Sequence, residues 1–346
     1  MSARDRQAAA RDAGAAQGPV APLAPPTTGT DREAMGLPAR FVPARCPDHR
    51  LLAERWVGTG PDALVAALAD EALPLEERIG AATRLDLLGD PRIRPFEPSM
   101  CAVPAAAAVV GLAEAAVWDV LARFDGLFLE RSWILKECPA HVVELAPYRI
   151  ARYPVTNREY AVFLEETGFP ELPTAWPFGR FPEHLGNHPV YTVSIEAARA
   201  YAAWLAGRTG RRFRLPREAE WEYAAAGPEG REFPWGDAFG ADRANTIETG
   251  LAITTPVGVF PQGRSPFGAD DMAGNVEEYV DDAYAPYPGG EAVRDDLAVA
   301  WGDRPYAVAR GGSFTRFRDL ARTRRRHGLY PRPIYAIGFR LAEDAP

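Results

Sequence analysis

From Met100 onward the apolar runs are short and are broken at close intervals by Gly, Pro and Asn. Such a chain cannot build long helices or wide ladders. Its backbone polar groups must find partners among side chains and ions. The pattern predicts an α+β domain with turn-rich, irregular connections. Two segments carry a helical period. Thr156 to Thr167 places Tyr160, Phe163 and Leu164 on one stripe, with Asn157 as a candidate start, and Ser194 to Thr209 opens on a Ser cap followed by Glu196 and buries Ala197, Tyr201, Trp204 and Leu205. A third, Arg217 to Ala226, follows Pro216 and holds Trp221 and Tyr223. No repeat of solenoid or propeller period is present.

Ahead of this region the composition shifts twice. Residues 1–32 are rich in Ala, Pro, Gly and Thr and read as a disordered tail without chemistry. Residues 33–96 read as a helical hairpin extension: Leu64, Leu68, Leu73, Ile79, Ala82, Leu85 and Leu88 recur at helical spacing, with a break at Pro74 and a stop at Gly89-Asp90-Pro91. The hairpin is expected to cap a domain spanning 97–346. With 346 residues and 47% hydrophobic content the chain can bury a substantial core, and a net charge of −8 argues against nucleic acid as a partner. Lys136 is the sole lysine, so nearly all positive charge is guanidinium. Cys46, Cys101 and Cys138 have no zinc-like spacing and read as isolated thiols of a reducing compartment. The N-terminus lacks a continuous apolar stretch, so a cytoplasmic protein without a membrane span is expected.

Seven blocks occur in order: RYPVTNREYAVFL (152–164), NHPVYTVSIEAARAYAAWL (187–205), RLPREAEWEYAA (214–225), FPWGD (233–237), TTPVGVFPQGRSPFGADDMAGNVEE (254–278), ARGGSF (309–314) and IGFRLA (337–342). Together they resemble the formylglycine-generating enzyme, or sulfatase-modifying-factor, family. The resemblance implies a large variant of the C-type-lectin-like fold with little regular secondary structure. In DMAGNVEE, Asp271, Gly274, Val276 and Glu278 are spaced so that two carboxylates and two carbonyls could converge on a hard cation, or so that the two acids merely cap turns. The resemblance implies a structural calcium there, and a second calcium at Asn245, the carbonyl of Thr246, and Glu248.

The segment RGGSFTRFRDLARTRRRHGLYPRPIYAIGFR (310–340) bears most on function. Formylglycine-forming members carry two copper(I)-binding cysteines after the GGS block, because thiolates select that ion. The matching positions here are near Arg316 and Ala321, and no cysteine follows Cys138. The chain is therefore expected not to make formylglycine. A second catalytic branch, the ergothioneine-pathway sulfoxide synthases, binds non-haem iron through histidines supplied mainly by a separate helical bundle, and here no histidine lies between Leu51 and Pro139. His184 and His188 stand four residues apart, a spacing that can hold a metal, but Gly186 and Asn187 disfavour a helix between them. His141, in AHVVEL, reads as structural.

Arg316, Arg318, Arg322, Arg324, Arg325 and Arg326, interleaved with Phe317 and Tyr330, suit recognition of a carboxylate, phosphate or aromatic ring. About half of these arginines are expected to pair internally instead. Glu277 stands where the family commonly has tryptophan and would make one face of the groove acidic. The predicted function is capture of a small-molecule, peptide or protein ligand, anions among them, through Arg316, Phe317, Arg318, Arg322, Arg325, Tyr330 and Glu277. The alternatives are a divergent oxygenase, with iron or copper on His184, His188, His327 or carboxylates and Ser313 beside the reactive centre, and an accessory subunit docking through the hairpin.

Overall fold

The computed structural model describes residues 18–41 and 48–345; Cys46 and the first 17 residues of the expected tail lie outside them. Among the described residues ten short strands form three sheets. Strands β1 (Met100–Val103), β4 (Tyr148–Ala151), β10 (Ala342–Asp344) and β5 (Phe213–Arg214) pair antiparallel in that order. Strands β2 (Ala106–Val110) and β3 (His141–Leu145) make a two-stranded ribbon, with His141 opposite Val110. The third sheet runs β8 (His327–Gly328), β7 (Ala307–Arg310), β6 (Glu277–Ala283) and β9 (Ile337–Phe339), of which only β6 and β9 are parallel.

The helices form where caps and apolar stripes coincide. Preceding the domain come α1 (Asp31–Ala34) and then α2 (His49–Glu54), α3 (Pro61–Ala69) and α4 (Leu75–Leu88), the last three of which bury Leu52, Leu64, Leu68, Ile79 and Leu85 against Val259 and Phe260. Within it, α5 (Val117–Arg123) and α6 (Arg131–Leu135) precede α7 (Asn157–Thr167), which starts in a capping box in which Thr156 and Glu159 satisfy each other's backbone groups. The Ser194 hydroxyl accepts from Ala197 N at 3.0 Å to start α8 (Ile195–Thr209). Then come α9 (Glu218–Ala226) and α10 (Asp296–Ala300). Tyr160, Phe163, Trp176, Tyr201 and Phe339 pack in one aromatic core, and Trp176 keeps its indole N–H bonded to Asn157 at 2.8 Å.

Residues 18–36 are not a loose tail. Leu23 N donates to Glu33 O at 2.8 Å, Ala34 packs on Ile334 and Tyr335, and Arg332 holds the strap through the carbonyls of Pro26 and Gly29 and the carboxylate of Asp31. The expectation placed the boundary by composition; the strap is ordered by contacts with residues about 300 positions away. Among the described residues no helix is long and apolar enough to cross a membrane.

Candidate functional site

Strand alternation sends Glu277 and Glu278 to opposite faces of β6. Glu277, wholly buried, accepts from or shares a proton with His327 Nδ1 at 2.6 Å. Burial holds the His327 imidazole below its ordinary range, the neighbouring Arg316 and Arg325 adding to this and Glu277 opposing it. The His327 ring stacks on Tyr335, and Arg316 lies over the same tyrosine ring at 4.9 Å. Arg325 lies over Trp133, whose indole donates to Asp296 at 2.6 Å. Arg316, Arg325, His327, Tyr335, Trp133 and Pro26 of the strap line a space of about 10 Å³, about one water. Arg316 Nη1 and Arg325 Nε there, and Glu277 Oε1 behind His327, are shut off from solvent without a hydrogen-bond partner among the described residues.

The same wall contains Lys136, buried beside Asp295 and facing the rings of Tyr284 and Tyr306. Burial lowers its ammonium to about 8, against the pull of Asp295 and with Arg325 adding to the fall. A base whose folded pKa is depressed disfavours the native state while charged. That penalty is complete below pH 8 and is relieved as pH rises from about 8 toward the unfolded value near 10.5. Since the chain has a single lysine, its ¹⁵Nζ resonance reports this group alone: the expected midpoint is near pH 8, and a side chain still fully protonated at pH 10 would contradict the burial argument.

Other predicted residues go elsewhere. Arg322 faces no groove: it is fully buried, its two outer nitrogens each 2.9 Å from Glu137 and its Nε on Glu232. Phe317 is buried in an apolar cluster with Phe124, Leu127 and Ile134, and Arg318 is held by Glu248, N to Oε1 at 3.0 Å. Tyr330 packs at a tilt against the ring of Tyr335 and lies beside the cluster. Ser313 is buried with its hydroxyl 2.9 Å from Thr315. Arg324 and Arg326 also bind carboxylates internally, so pairing takes more of these arginines than expected. Pairing wins because a buried guanidinium without an acceptor is far costlier than an exposed one.

Several of the expected calcium donors are engaged by other groups of the protein. Both oxygens of Glu278 accept from Arg340 at 2.6 Å, and Trp221 Nε1 adds a bond of 2.7 Å, so the guanidinium already neutralises that carboxylate. Arg340 also donates to the carbonyls of Asp270 and Asp271. Burial, reinforced by Asp270, pushes the Asp271 carboxyl up to about 7, and its Oδ2 accepts from Gly258 N at 2.7 Å. At the second position the Asn245 amide donates to Ile253 O, the Thr246 carbonyl accepts from Thr249, and Glu248 serves Arg318. His188 is buried with Nδ1 2.9 Å from Thr254, while His184 is exposed. Among the described residues no group of three His, Cys, Asp or Glu side chains is placed to hold a metal, although the His49 ring stacks on His188 at 6.2 Å.

The profile of the sulfatase-modifying factor enzyme 1-like domain matches residues 95–345. The chain belongs to that family. Hercynine oxygenase of Mycolicibacterium smegmatis is 32% identical over 244 residues, covering 60% of this chain and 55% of its own length, and formylglycine-generating enzyme of Mycobacterium tuberculosis is 33% identical over 214 residues, covering 44% and 69%. The chain thus spans about half the length of the hercynine oxygenases it matches. PvdO from Pseudomonas aeruginosa superposes with a TM-score of 0.54 at 27% identity, over 72% of this chain and 95% of that one. The α+β architecture is that of the sulfatase-modifying-factor fold. Near the positions expected for the copper cysteines stand Arg316 and the fully buried Ala321. Nothing in the local sequence pattern flagged Tyr335, Trp133, Asp296 or Pro26 as neighbours of Arg316. Of this cluster, Arg316, Arg325, Glu277 and His327 were legible as candidates in the sequence.

Proposed function

We propose that this family member makes no formylglycine and instead captures a small anionic ligand at the cluster of Arg316, Arg325, Glu277 and His327. The reading rests on the unpaired buried atoms: Arg316 Nη1 and Arg325 Nε suit the oxygens of a carboxylate or phosphate, and Glu277 Oε1 suits a hydroxyl or ammonium on the same molecule. The space is too small for such a ligand with Pro26 in its wall, so entry requires the strap held by Arg332 to move. Arg332→Ala should then strengthen capture of small hydroxy or amino acids by roughly tenfold, by removing the cost of displacing the strap, and Arg316→Ala should abolish it. In parallel, a cysteine-containing sulfatase peptide incubated with copper and air should remain unoxidised. Aldehyde formation refutes the first half of the proposal, and unaltered binding by Arg316→Ala refutes the second.

A second reading, a divergent oxygenase, draws support from the 32% identity to mycobacterial hercynine oxygenases. It would need metal ligands beyond those assembled among the described residues. Iron-dependent oxygen uptake by the purified chain would favour it.

A further inference from the structure

A separate cavity of about 280 Å³ lies between α3 and the domain, and its wall carries four arginines, Arg92, Arg94, Arg152 and Arg264, with no carboxylate among its lining residues. This is a local reversal in a chain of net charge −8. None of its lining residues belongs to the Arg316 cluster. Arg92 is fully engaged by the buried Asp90 carboxylate and the Val257 carbonyl. Arg152 and Arg264, by contrast, share one acid, Asp270, each through its Nε, at 2.7 and 2.9 Å. Among the described residues, both outer nitrogens of Arg152 and Nη1 of Arg264 meet no acceptor. Arg94, at the exposed edge, pairs only with Glu97. Four guanidinium groups therefore stand against three carboxylates, Asp90, Asp270 and Glu97.

Tyr153 fixes this geometry. The guanidinium groups of Arg92 and Arg152 lie over its ring at 5.6 and 5.2 Å, which helps hold Arg152 while Asp270 takes its Nε. Gly258, at φ 74°, is needed for this approach, since a Cβ there would stand 2.8 Å from the tyrosine ring. Opposite, Val65 and Leu68 of α3 supply an apolar wall. We propose that the cavity binds a small molecule bearing a phosphate or carboxylate group, gripped by Arg152 and Arg264 with Arg94 at the mouth and its carbon skeleton against α3. The volume suits a small metabolite and excludes a polymer.

The test is calorimetric titration of the full chain with inorganic phosphate and, separately, with succinate. Saturable binding of either anion is expected, and the stronger of the two identifies the oxyanion the cavity prefers. Arg152→Ala and Arg264→Ala should each weaken it by about tenfold, because each removes one side of a two-armed grip. Arg94→Ala, at an exposed position whose truncation leaves the fold intact, should weaken it by roughly twofold to fivefold through charge alone. Arg294→Ala, in an exposed pair with Asp303, is the control and should bind as wild type. Absence of saturable binding by both anions overturns the proposal, as does binding that survives unchanged in the Arg94, Arg152 and Arg264 variants.

Discussion

Arg322→Ala should destabilise the protein by about 3–5 kcal/mol, a large part of the stability of an ordinary domain. The guanidinium is wholly buried, and so is the Glu137 carboxylate it grips with two parallel bonds, while its Nε serves Glu232. Truncation leaves both acids in the interior without their principal cation. The cost is that of stranded charge, which exceeds the worth of any single hydrogen bond in the group. Urea denaturation measures it. Arg294→Ala, which breaks a pair whose side chains are 67% and 59% exposed, should change stability by less than about 1 kcal/mol in the same experiment. Adding Glu137→Gln to the Arg322 variant should restore part of the stability by removing one uncompensated charge. An Arg322→Ala protein as stable as the Arg294→Ala protein would show that Glu137 and Glu232 do not depend on Arg322.

Gly274→Ala should cost at least about 2 kcal/mol, combining a strained backbone with a backbone clash. Gly274 sits at φ 75°, and a Cβ there would stand 2.5 Å from the carbonyl oxygen of Asn245 and 2.8 Å from its carbonyl carbon. Neither atom can swing aside as a side chain would. Asn275 N donates to that same Asn245 oxygen at 2.7 Å, and Phe314 N donates to Asn275 O at 3.0 Å, so a shift here travels into the GGS turn. Gly126→Ala is the matched comparison: φ is 81° but nothing lies within 4 Å of its Cβ. Its cost should be limited to conformational strain of about 1 kcal/mol. Equal midpoints for the two variants in thermal unfolding would remove the steric argument for Gly274.

Gly274 also illustrates how much of the candidate site was legible. Its sequence context suggested a calcium-binding carbonyl; the structure gives its lack of a side chain a direct reason in the approach of Asn245. Asp271 and Glu278 were likewise singled out as a pair of acids, yet both are buried and Glu278 is partnered by Arg340, a residue 62 positions beyond it. Spacing within one turn can bring oxygens together, but it carries no record of which distant cation arrives to meet them. Arg322 leaves the expected Arg/aromatic groove for the same reason. Arg322 and Glu137 are 185 residues apart, and Arg310 and Glu218 are 92 apart, so no local window contains both members of either pair.

What the amino-acid order alone determined is therefore what short-range physics controls. The Thr156 and Ser194 caps, the apolar stripes of α7 and α8, and the turn-rich character beyond Met100 all depend on neighbours within a few residues. The absence of cysteine after Cys138 is equally a property of the chain itself. Only the tertiary structure decided which charges are buried together, that Pro26 stands beside Arg316, and that Arg152 and Arg264 share a single acid on the wall of a cavity. Desolvation makes each buried charge depend on a specific partner, and chain folding can draw that partner from anywhere in the sequence.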